Sequence, residues 1–247
     1  MKAFGQLDYG EMKVGKTDYL VSVFNSEYVK PERILYIDNH GSTNGFDVPL
    51  YSPTSKHGVW HLGGHESGKV LEKFAEIRGL CVRGKAPYDL IVIDDLSEWA
   101  SQDVAAAMEK GGASWKAWGV HLDNMTAAFR YVLPKYTGII LLCAARAGRM
   151  RDLLEDPKAD DADTIIRPLL QGQFGSWALH EFDIISWHQM EVTKARKMTF
   201  TQDFFPHPDR YSGTRFMKEW IKSGISPTMV DPTFDKVYDI VDKVMKV

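Results

Sequence analysis

The stretch YGEMKVGKTDYL, residues 9 to 20, decides how the rest of this chain is interpreted. Four of its residues match the pattern G-x-x-x-x-G-K-[ST]: Gly10, Gly15, Lys16 and Thr17. In that pattern, backbone N–H groups at a helix N-terminus surround phosphates, the lysine adds a positive charge and the hydroxyl binds Mg²⁺. A strand-like segment precedes the loop and a helix-like segment follows it, as the pattern requires. A chance glycine turn before a helix is the alternative interpretation.

A second motif, YDLIVIDD at residues 88 to 95, supports the same kind of site. It is an apolar strand that ends in Asp94 and Asp95, and open α/β sheets bind ligands at the carboxyl ends of their strands. A carboxylate there can hold a metal ion and its water shell, so Thr17 and Asp94 are the predicted metal residues. The alternative for the two aspartates is a polar strand end that caps the next helix at Ser97.

Together the two motifs predict a protein that binds ATP and Mg²⁺. Lys16 and Asp95 are predicted to be catalytic. The residues predicted to contact the nucleotide are Gly10, Glu11, Met12, Lys13, Val14, Gly15, Lys16, Thr17 and Asp18.

Strand-like and helix-like segments alternate along the chain, which predicts an α/β fold with a mostly parallel sheet flanked by helices. The later segment FDIISWHQMEVTKARKMTFTQDF has two runs of β-forming residues around polar TKAR, which predicts an antiparallel hairpin that extends the sheet. The predicted strands are 33–38, 58–62, 88–95 and 138–145, and the predicted helices are 16–25, 67–78 and 97–133, with a break at Gly111 and Gly112.

The length of 247 residues and the hydrophobic content of 44% suit one domain, with a core at about 2–215 and a helical tail at about 216–247. The charged segment 146–163 is expected to be a mobile loop inside that domain. A net charge of -3 gives no general attraction to nucleic acid, so such binding would need a local basic patch or repeated subunits. No apolar run has membrane-spanning length and no signal-peptide core begins the chain, so a cytoplasmic protein is expected.

The order of these parts resembles a known group, the phage-encoded single-domain P-loop ATPases related to the RecA/RadA recombinase core. The resemblance covers residues 2 to 215, from GEMKVGKT through RILYIDNHG, YDLIVIDDLSEW and GIILLCAAR to RPLLQG and the hairpin. It implies a RecA-like ATPase of DNA recombination and single-strand annealing. It also implies single-stranded DNA as a partner, a head-to-tail homo-oligomer and, for a phage protein, the host cytoplasm.

Two departures from the group concern hydrolysis. Proteins of this kind carry a glutamate just past the second strand that orients the attacking water, but the matching segment here is DNHG, residues 38 to 41. Hydrolysis is therefore expected to be slow, with Asp38, His40 or Asp95 as the substitute base. A strand-end turn with a solvated imidazole is the alternative for the first two. Arg146 stands where the group places a polar sensor of the γ-phosphate.

Arginines at three further places are candidates for binding roles. Arg146, Arg149 and Arg151 follow a sheet strand, where RecA-like proteins contact DNA, although the acidic EDPKADDAD segment beyond them favours a plain surface loop. Arg210 and Arg215 follow the hairpin, and either is a candidate for a finger that reaches the nucleotide of a neighbouring subunit. The alternative for these two is a local salt bridge, for instance with Asp209 or Glu219.

Trp115 and Trp118 share a helical stretch with Leu122, Met125 and Phe129 at core-like spacing, which favours packing over a base-stacking platform.

Two other functions stay open. One is a small-molecule kinase that uses segment 146–163 as a closing lid. The other is a nucleotide-binding scaffold with weak hydrolysis.

Overall fold

One sheet joins all the strands in a computed structural model of the chain, which describes residues 1–62, 66–111, 115–151, 164–192 and 196–245. The strands are β1 (Gly5–Gly10), β2 (Ile34–Asp38), β3 (Gly58–His61), β4 (Leu90–Asp94), β5 (Ile140–Arg151), β6 (Thr164–Pro168), β7 (Ile184–Val192), β8 (Met198–Asp203), β9 (Gly213–Thr214) and β10 (Thr228–Val230). Their order is β10-β8-β7-β1-β5-β4-β2-β3, while β6 pairs with β5 and β9 with β7.

Helices cover both faces of this sheet. They are α1 (Lys16–Val21), α2 (Ser67–Val82), α3 (Leu96–Gly111), α4 (Trp115–Val132), α5 (Pro134–Thr137), α6 (Gly172–Glu181), α7 (Met217–Ser223) and α8 (Phe234–Val244), and α1 continues into a 3₁₀ turn at Ser22–Asn25. One core packs α2, α3, α4 and α6 against the sheet, and the other core packs α1, α7 and α8 on the opposite face.

The central strands are apolar on both faces because both faces are covered. In β2, for example, Leu35 and Ile37 enter the first core while Ile34 and Tyr36 enter the second. A strand buried on both sides appears as a continuous apolar run, which is how the sequence marks β2, β4 and β5. The pairs β7-β1, β1-β5, β5-β4 and β4-β2 are all parallel.

The parallel registers bring the chemically important strand ends to one edge of the sheet. Gly10 pairs with Arg146 on one side and with His188 on the other, and Asp38 pairs with Asp94. Gly10, Asp38 and Asp94 end their strands, and Arg146 and His188 are the last residues of β5 and β7 that pair with β1. This edge is therefore where the predicted nucleotide-binding residues meet.

The predicted α/β fold is confirmed, including the antiparallel hairpin, which is formed by β7 and β8. The expectation of a mobile loop from residue 146 is wrong for its first part. Residues up to Arg151 continue β5, because β6 offers an antiparallel partner from Arg151 and Thr164 back to Ala147 and Pro168. Residues 152–163 lie outside the described part of the chain.

Two further differences concern residues far from that loop. The C-terminal tail, expected to be helical, also contains β10, which pairs with β8 and extends the sheet. The expectation that Trp115 and Trp118 are core residues is wrong, since they are 79% and 38% exposed while Met125 and Phe129 of the same helix are buried.

No helix in the described part of the chain has both the length and the apolar character needed to span a bilayer.

Candidate functional site

The loop between β1 and α1 has the tight backbone that a phosphate-binding loop needs. A Cβ at Gly10 would lie 2.4 Å from the carbonyl oxygen of His188, so β7 approaches too closely for any side chain there. Gly15 has a φ of +82°, and a Cβ there would lie 2.8 Å from the Phe200 ring. The two glycines of the motif are therefore required by the left-handed backbone and by the closeness of the β7–β8 hairpin.

Lys16 lies across the inside of this loop. Its Nζ donates hydrogen bonds to the carbonyl oxygens of Gly10 at 3.0 Å and Glu11 at 2.6 Å. Burial lowers the pKa of Lys16, although the charges of Asp95, Asp94 and Asp8 act in the opposite direction. An ammonium held at the first turn of a helix, beside backbone N–H groups, suits the phosphates of a nucleotide.

The predicted metal residues meet directly. The Thr17 hydroxyl donates to Oδ2 of Asp94 at 3.0 Å, and the same oxygen accepts from Tyr36 at 2.9 Å and from Ser42 at 2.7 Å. Burial raises the pKa of Asp94, and the charge of Asp95 adds to the rise while the hydroxyl donors oppose it. A hydroxyl and a carboxylate are oxygen ligands of the kind that Mg²⁺ prefers, so Thr17 and Asp94 fit this ion.

A cavity of about 480 Å³ opens above these groups. Seven of the nine residues predicted to contact the nucleotide line it, and Gly10 and Glu11 are the other two. Ser42 and Phe46 also line the cavity; they lie in the loop after β2, and no motif marks them in the sequence. The lining residues are Met12, Lys13, Val14, Gly15, Lys16, Thr17, Asp18, His40, Ser42, Phe46, Asp94, Asp95 and Arg146.

Asp95 has the structural contacts that the sequence allowed as an alternative. Its Oδ1 accepts from the backbone N–H groups of Ser97 at 2.6 Å and Glu98 at 3.2 Å, and so caps α3. Its Oδ2 pairs with Nε of Arg146 at 3.3 Å. Asp95 also lines the cavity, so a catalytic role for it stays a prediction.

Asp38 is fully buried in the turn after β2. Its two oxygens accept from the backbone N–H groups of His40, Ser42 and Thr43 and from the hydroxyls of Ser42 and Thr43. Burial raises its pKa, but these hydrogen bonds outweigh burial and leave the pKa of Asp38 lowered. This geometry favours the strand-end turn over a catalytic base, whereas His40 is exposed and lines the cavity.

The three arginines in the second half of β5 differ in whether they line the cavity. Arg146 lines the cavity, pairs with Asp95 and donates to Glu98. Arg149 and Arg151 lie further along the same strand, opposite Ile166 and Thr164 of β6, and their side chains are outside the described part of the structure. Of the three, only Arg146 has a described side chain, and it lies at the cavity; DNA contact by any of them stays a prediction.

The two candidate finger arginines lie near opposite ends of β7. Arg210 lies over the Trp187 ring at 5.6 Å, donates to Gln189 at 3.2 Å and pairs with Asp203 at 3.6 Å. Arg215 pairs with Asp183 at 3.3 Å, at the end of β7 remote from the loop. Each has local carboxylate partners in its own chain, so a role in trans needs those contacts to be exchanged.

Comparison with known proteins agrees with the fold and goes no further. No model of a known protein family matches the chain, and no curated protein matches it significantly. A prototypical ATPase from the type III secretion system of pathogenic bacteria is similar in structure, with a TM-score of 0.54 and 12% identity. The match covers 88% of this chain and 58% of that one, so the chain spans less than two thirds of its neighbour's length.

A second solved structure, the flagellar accessory protein FlaH from Methanocaldococcus jannaschii, matches with a TM-score of 0.47 and 14% identity, over 94% of this chain and 85% of that one. The similarity to the type III secretion ATPase supports a RecA-like α/β fold for this chain. At such identities the likeness concerns the fold alone.

Proposed function

We propose that the protein binds ATP with Mg²⁺ at the β1–α1 loop and hydrolyses it slowly. The observation that carries the proposal is the contact between the Thr17 hydroxyl and the Asp94 carboxylate, at 3.0 Å, beside Lys16 and above a cavity lined by the loop. Two segments 77 positions apart in sequence thus place a hydroxyl, a carboxylate and an ammonium around one space. That combination serves a metal-bound triphosphate.

Different groups of the chain bind the phosphates, the metal ion and the γ-phosphate charge. The backbone N–H groups at the start of α1 bind the phosphates, and Lys16 offsets the charge on the β and γ groups. Thr17 and Asp94 hold Mg²⁺, which when bound neutralises the charge that develops on the transferring phosphoryl group. Arg146 lies at the cavity wall, where its guanidinium is placed to reach the γ-phosphate once its ion pairs with Asp95 and Glu98 loosen.

Slow hydrolysis is expected because two of the three candidate bases, Asp38 and Asp95, are held in structural contacts. Asp38 accepts hydrogen bonds from its own turn, and Asp95 caps α3 and pairs with Arg146. His40 is the exposed base at the cavity wall, so we assign water activation to it. The structural contacts of Asp38 and Asp95 also favour a second candidate function, a nucleotide-binding scaffold that hardly turns over ATP.

We further propose that this one-domain protein acts on single-stranded DNA as a head-to-tail homo-oligomer in phage DNA recombination, in the host cytoplasm. Two observations support this proposal. The order of the motifs resembles that of the phage ATPases, and the antiparallel pair β5–β6 begins next to Arg146, which lines the cavity. A kinase lid at segment 146–163 has less support, because residues 146–151 are part of the sheet.

The deciding experiment measures ATP hydrolysis with and without single-stranded DNA, beside the size of the assembly in solution. We expect slow turnover that rises with single-stranded DNA, together with an oligomer. The Lys16→Ala variant should lose triphosphate binding, while the exposed Lys30→Ala serves as a charge-matched control that keeps it. Unchanged ATP affinity in the first variant would reject the nucleotide site, and a monomer that phosphorylates an added acceptor would favour the kinase.

The finger arginines are tested by mixing variants. Arg210→Ala or Arg215→Ala should still bind ATP but lose turnover, since arginine fingers contribute about 10³ to 10⁵ in rate. Mixed with Lys16→Ala protein, an arginine variant should regain part of the activity, because some interfaces then pair an intact loop with an intact finger. An active wild type with neither arginine variant impaired would reject the trans contact, as would a mixture no more active than its parents.

A further inference from the structure

The first turns of α4 expose aromatic surface that the fold does not use. Trp115 is 79% exposed, the highest value among the large apolar side chains that the structure describes, and Trp118 follows at 38%. Residues three apart on a helix lie on the same side, so the two indoles are neighbours. Tryptophan is highly buried on average, and a pair of exposed indoles therefore points to a binding surface.

Gly119 adds an independent observation. A Cβ built at this position would meet no heavy atom of the described residues within 4 Å, and the backbone there is ordinary helix. Packing within the chain thus gives no reason for glycine, although glycine destabilises a helix interior relative to alanine. Because Gly119 is four residues after Trp115, the absence of a side chain leaves the helix backbone beside that indole open to a closely approaching ligand.

The charged side chain within the first eight residues of α4 is a cation, which suits an anionic ligand. The first eight residues of α4, WKAWGVHL, contain one charged side chain, Lys116, and the first carboxylate is Asp123. The Lys116 ammonium lies 6.0 Å from the centroid of the Trp115 ring. Flat aromatic surface with an adjacent cation is the combination by which single-stranded nucleic acids are bound without sequence readout.

The segment after β6 connects the indoles to the proposed nucleotide site. A Cβ at Gly172, at the start of α6, would lie 3.2 Å from the Trp118 ring, so the segment after β6 passes against that indole. In that segment Leu169 is 40% exposed, and its N–H donates to the carbonyl oxygen of Arg146 at 2.7 Å. The same arginine lines the cavity, so the indole surface and the nucleotide share one connecting segment.

We propose that Trp115, Trp118 and Gly119 form a platform on which bases of single-stranded DNA stack, with Lys116 placed to neutralise a phosphate. This platform rests on the DNA part of the proposed function and gives it a location. The bases lie on the indole faces, and Gly119 provides the clearance.

The test measures the binding of a fluorescein-labelled oligothymidylate by anisotropy. Trp115→Ala and Trp118→Ala should each weaken binding by about 5- to 150-fold, the range spanned by one base–aromatic stack, while the Phe variants keep part of it. Gly119→Leu should weaken DNA binding without lowering the melting temperature, which separates obstruction from unfolding. All of these variants should bind a fluorescent ATP analogue as the wild type does.

Two controls isolate stacking. Tyr136→Ala removes another exposed aromatic ring with an adjacent lysine, Lys135 at 5.1 Å, and should leave DNA affinity unchanged. An abasic oligomer of the same length should bind wild type weakly and bind the Trp variants equally weakly. An equal loss for the normal and abasic oligomers, or an unchanged affinity in both Trp→Ala variants, would overturn the platform alone. A wild type that binds ATP but no oligothymidylate would overturn the DNA part of the proposed function and the platform with it.

Discussion

Two buried polar clusters lie side by side beneath the nucleotide loop, and only one of them reaches the cavity. Both centre on an aspartate at or near the end of a parallel strand, and both take a hydroxyl from α1. The Asp94 cluster consists of Thr17, Tyr36, Ser42 and Asp94. The Asp8 cluster consists of Gln6, Asp8, Tyr19, Ser186, His188 and Gln202.

The Asp94 cluster is built from hydroxyl donors that can turn away. Three hydroxyls meet at one carboxylate oxygen, and three of the four residues, Thr17, Ser42 and Asp94, line the cavity. A hydroxyl rotates at little cost, so this carboxylate can exchange a hydrogen bond for a metal ion or its water.

The Asp8 cluster is built from larger groups fixed in the sheet. Asp8 Oδ1 accepts from Gln6 at 2.8 Å, from Gln202 at 2.7 Å and from His188 at 3.0 Å, and also from Ser186. These groups come from β1, β7 and β8 and are fully buried, while the described lining of the cavity consists of other residues. The comparison teaches that access to the cavity, and not the presence of a buried aspartate, separates ligand binding from holding the strands together.

The largest effect should come from Asp8→Asn. The amide keeps an oxygen for the four donors that now meet Oδ1, but it loses the negative charge that strengthens these hydrogen bonds. Its NH2 group also replaces Oδ2, which is buried and has no hydrogen-bond partner among the described residues, and a buried polar group left unpaired is costly. We expect a loss of about 3 kcal/mol or more in the free energy of unfolding, as for the breaking of other buried charged pairs. Denaturant unfolding measures it. Protein that remains folded should bind ATP with nearly normal affinity, and a selective loss of ATP binding without a loss of stability would erase the distinction between the clusters.

Asp94→Asn should act on the ligand instead. The amide has no charge for the metal, so the Mg²⁺-dependent part of ATP binding should fall by about 10- to 100-fold. Binding in EDTA should change little, which titration of a fluorescent ATP analogue in both buffers determines. Equal losses in the two buffers would place Asp94 among the structural groups.

The smallest effect is expected at Asp38, whose five hydrogen-bond donors come from its own turn, while Nδ1 of His61 in β3 lies 3.2 Å from its Oδ2. Asp38→Asn should cost about 1 to 2 kcal/mol of stability at pH 7. Because the folded-state pKa is lowered, this contribution is present above the ordinary aspartate pKa of about 4 and is lost as the pH falls through the lower folded value. The stability difference between wild type and variant should therefore shrink in acid. A difference that stays constant down to pH 2 would contradict this account, and a variant of normal stability that lost ATP turnover would restore Asp38 as a base.

The sequence predicted the elements whose signal is local. A glycine loop before a helix and an apolar strand that ends in aspartates are each contained within about ten residues, and so is the alternation of β-forming residues in β7 and β8. The extension of β5 through Arg151 was missed because charged residues favour a loop until β6 supplies hydrogen-bond partners for their backbone. Trp115 and Trp118 were misassigned for a similar reason, since helical spacing gives a face but does not say whether another element covers it.

By itself the sequence determined the α/β fold and the glycine loop between β1 and α1, because covalent neighbours fix the backbone and burial on both faces marks the central strands. Only the tertiary structure decided which polar groups meet. Thr17 reaches Asp94 through the strand order β1-β5-β4, and Ser42 and Phe46 join the cavity because the loop after β2 folds over that edge. The enclosure of Asp38 by its own turn and the exposure of the α4 indoles were likewise decided there. The physical reason is that hydrogen bonds and burial depend on distances in space, which strand pairing sets between residues far apart in the chain.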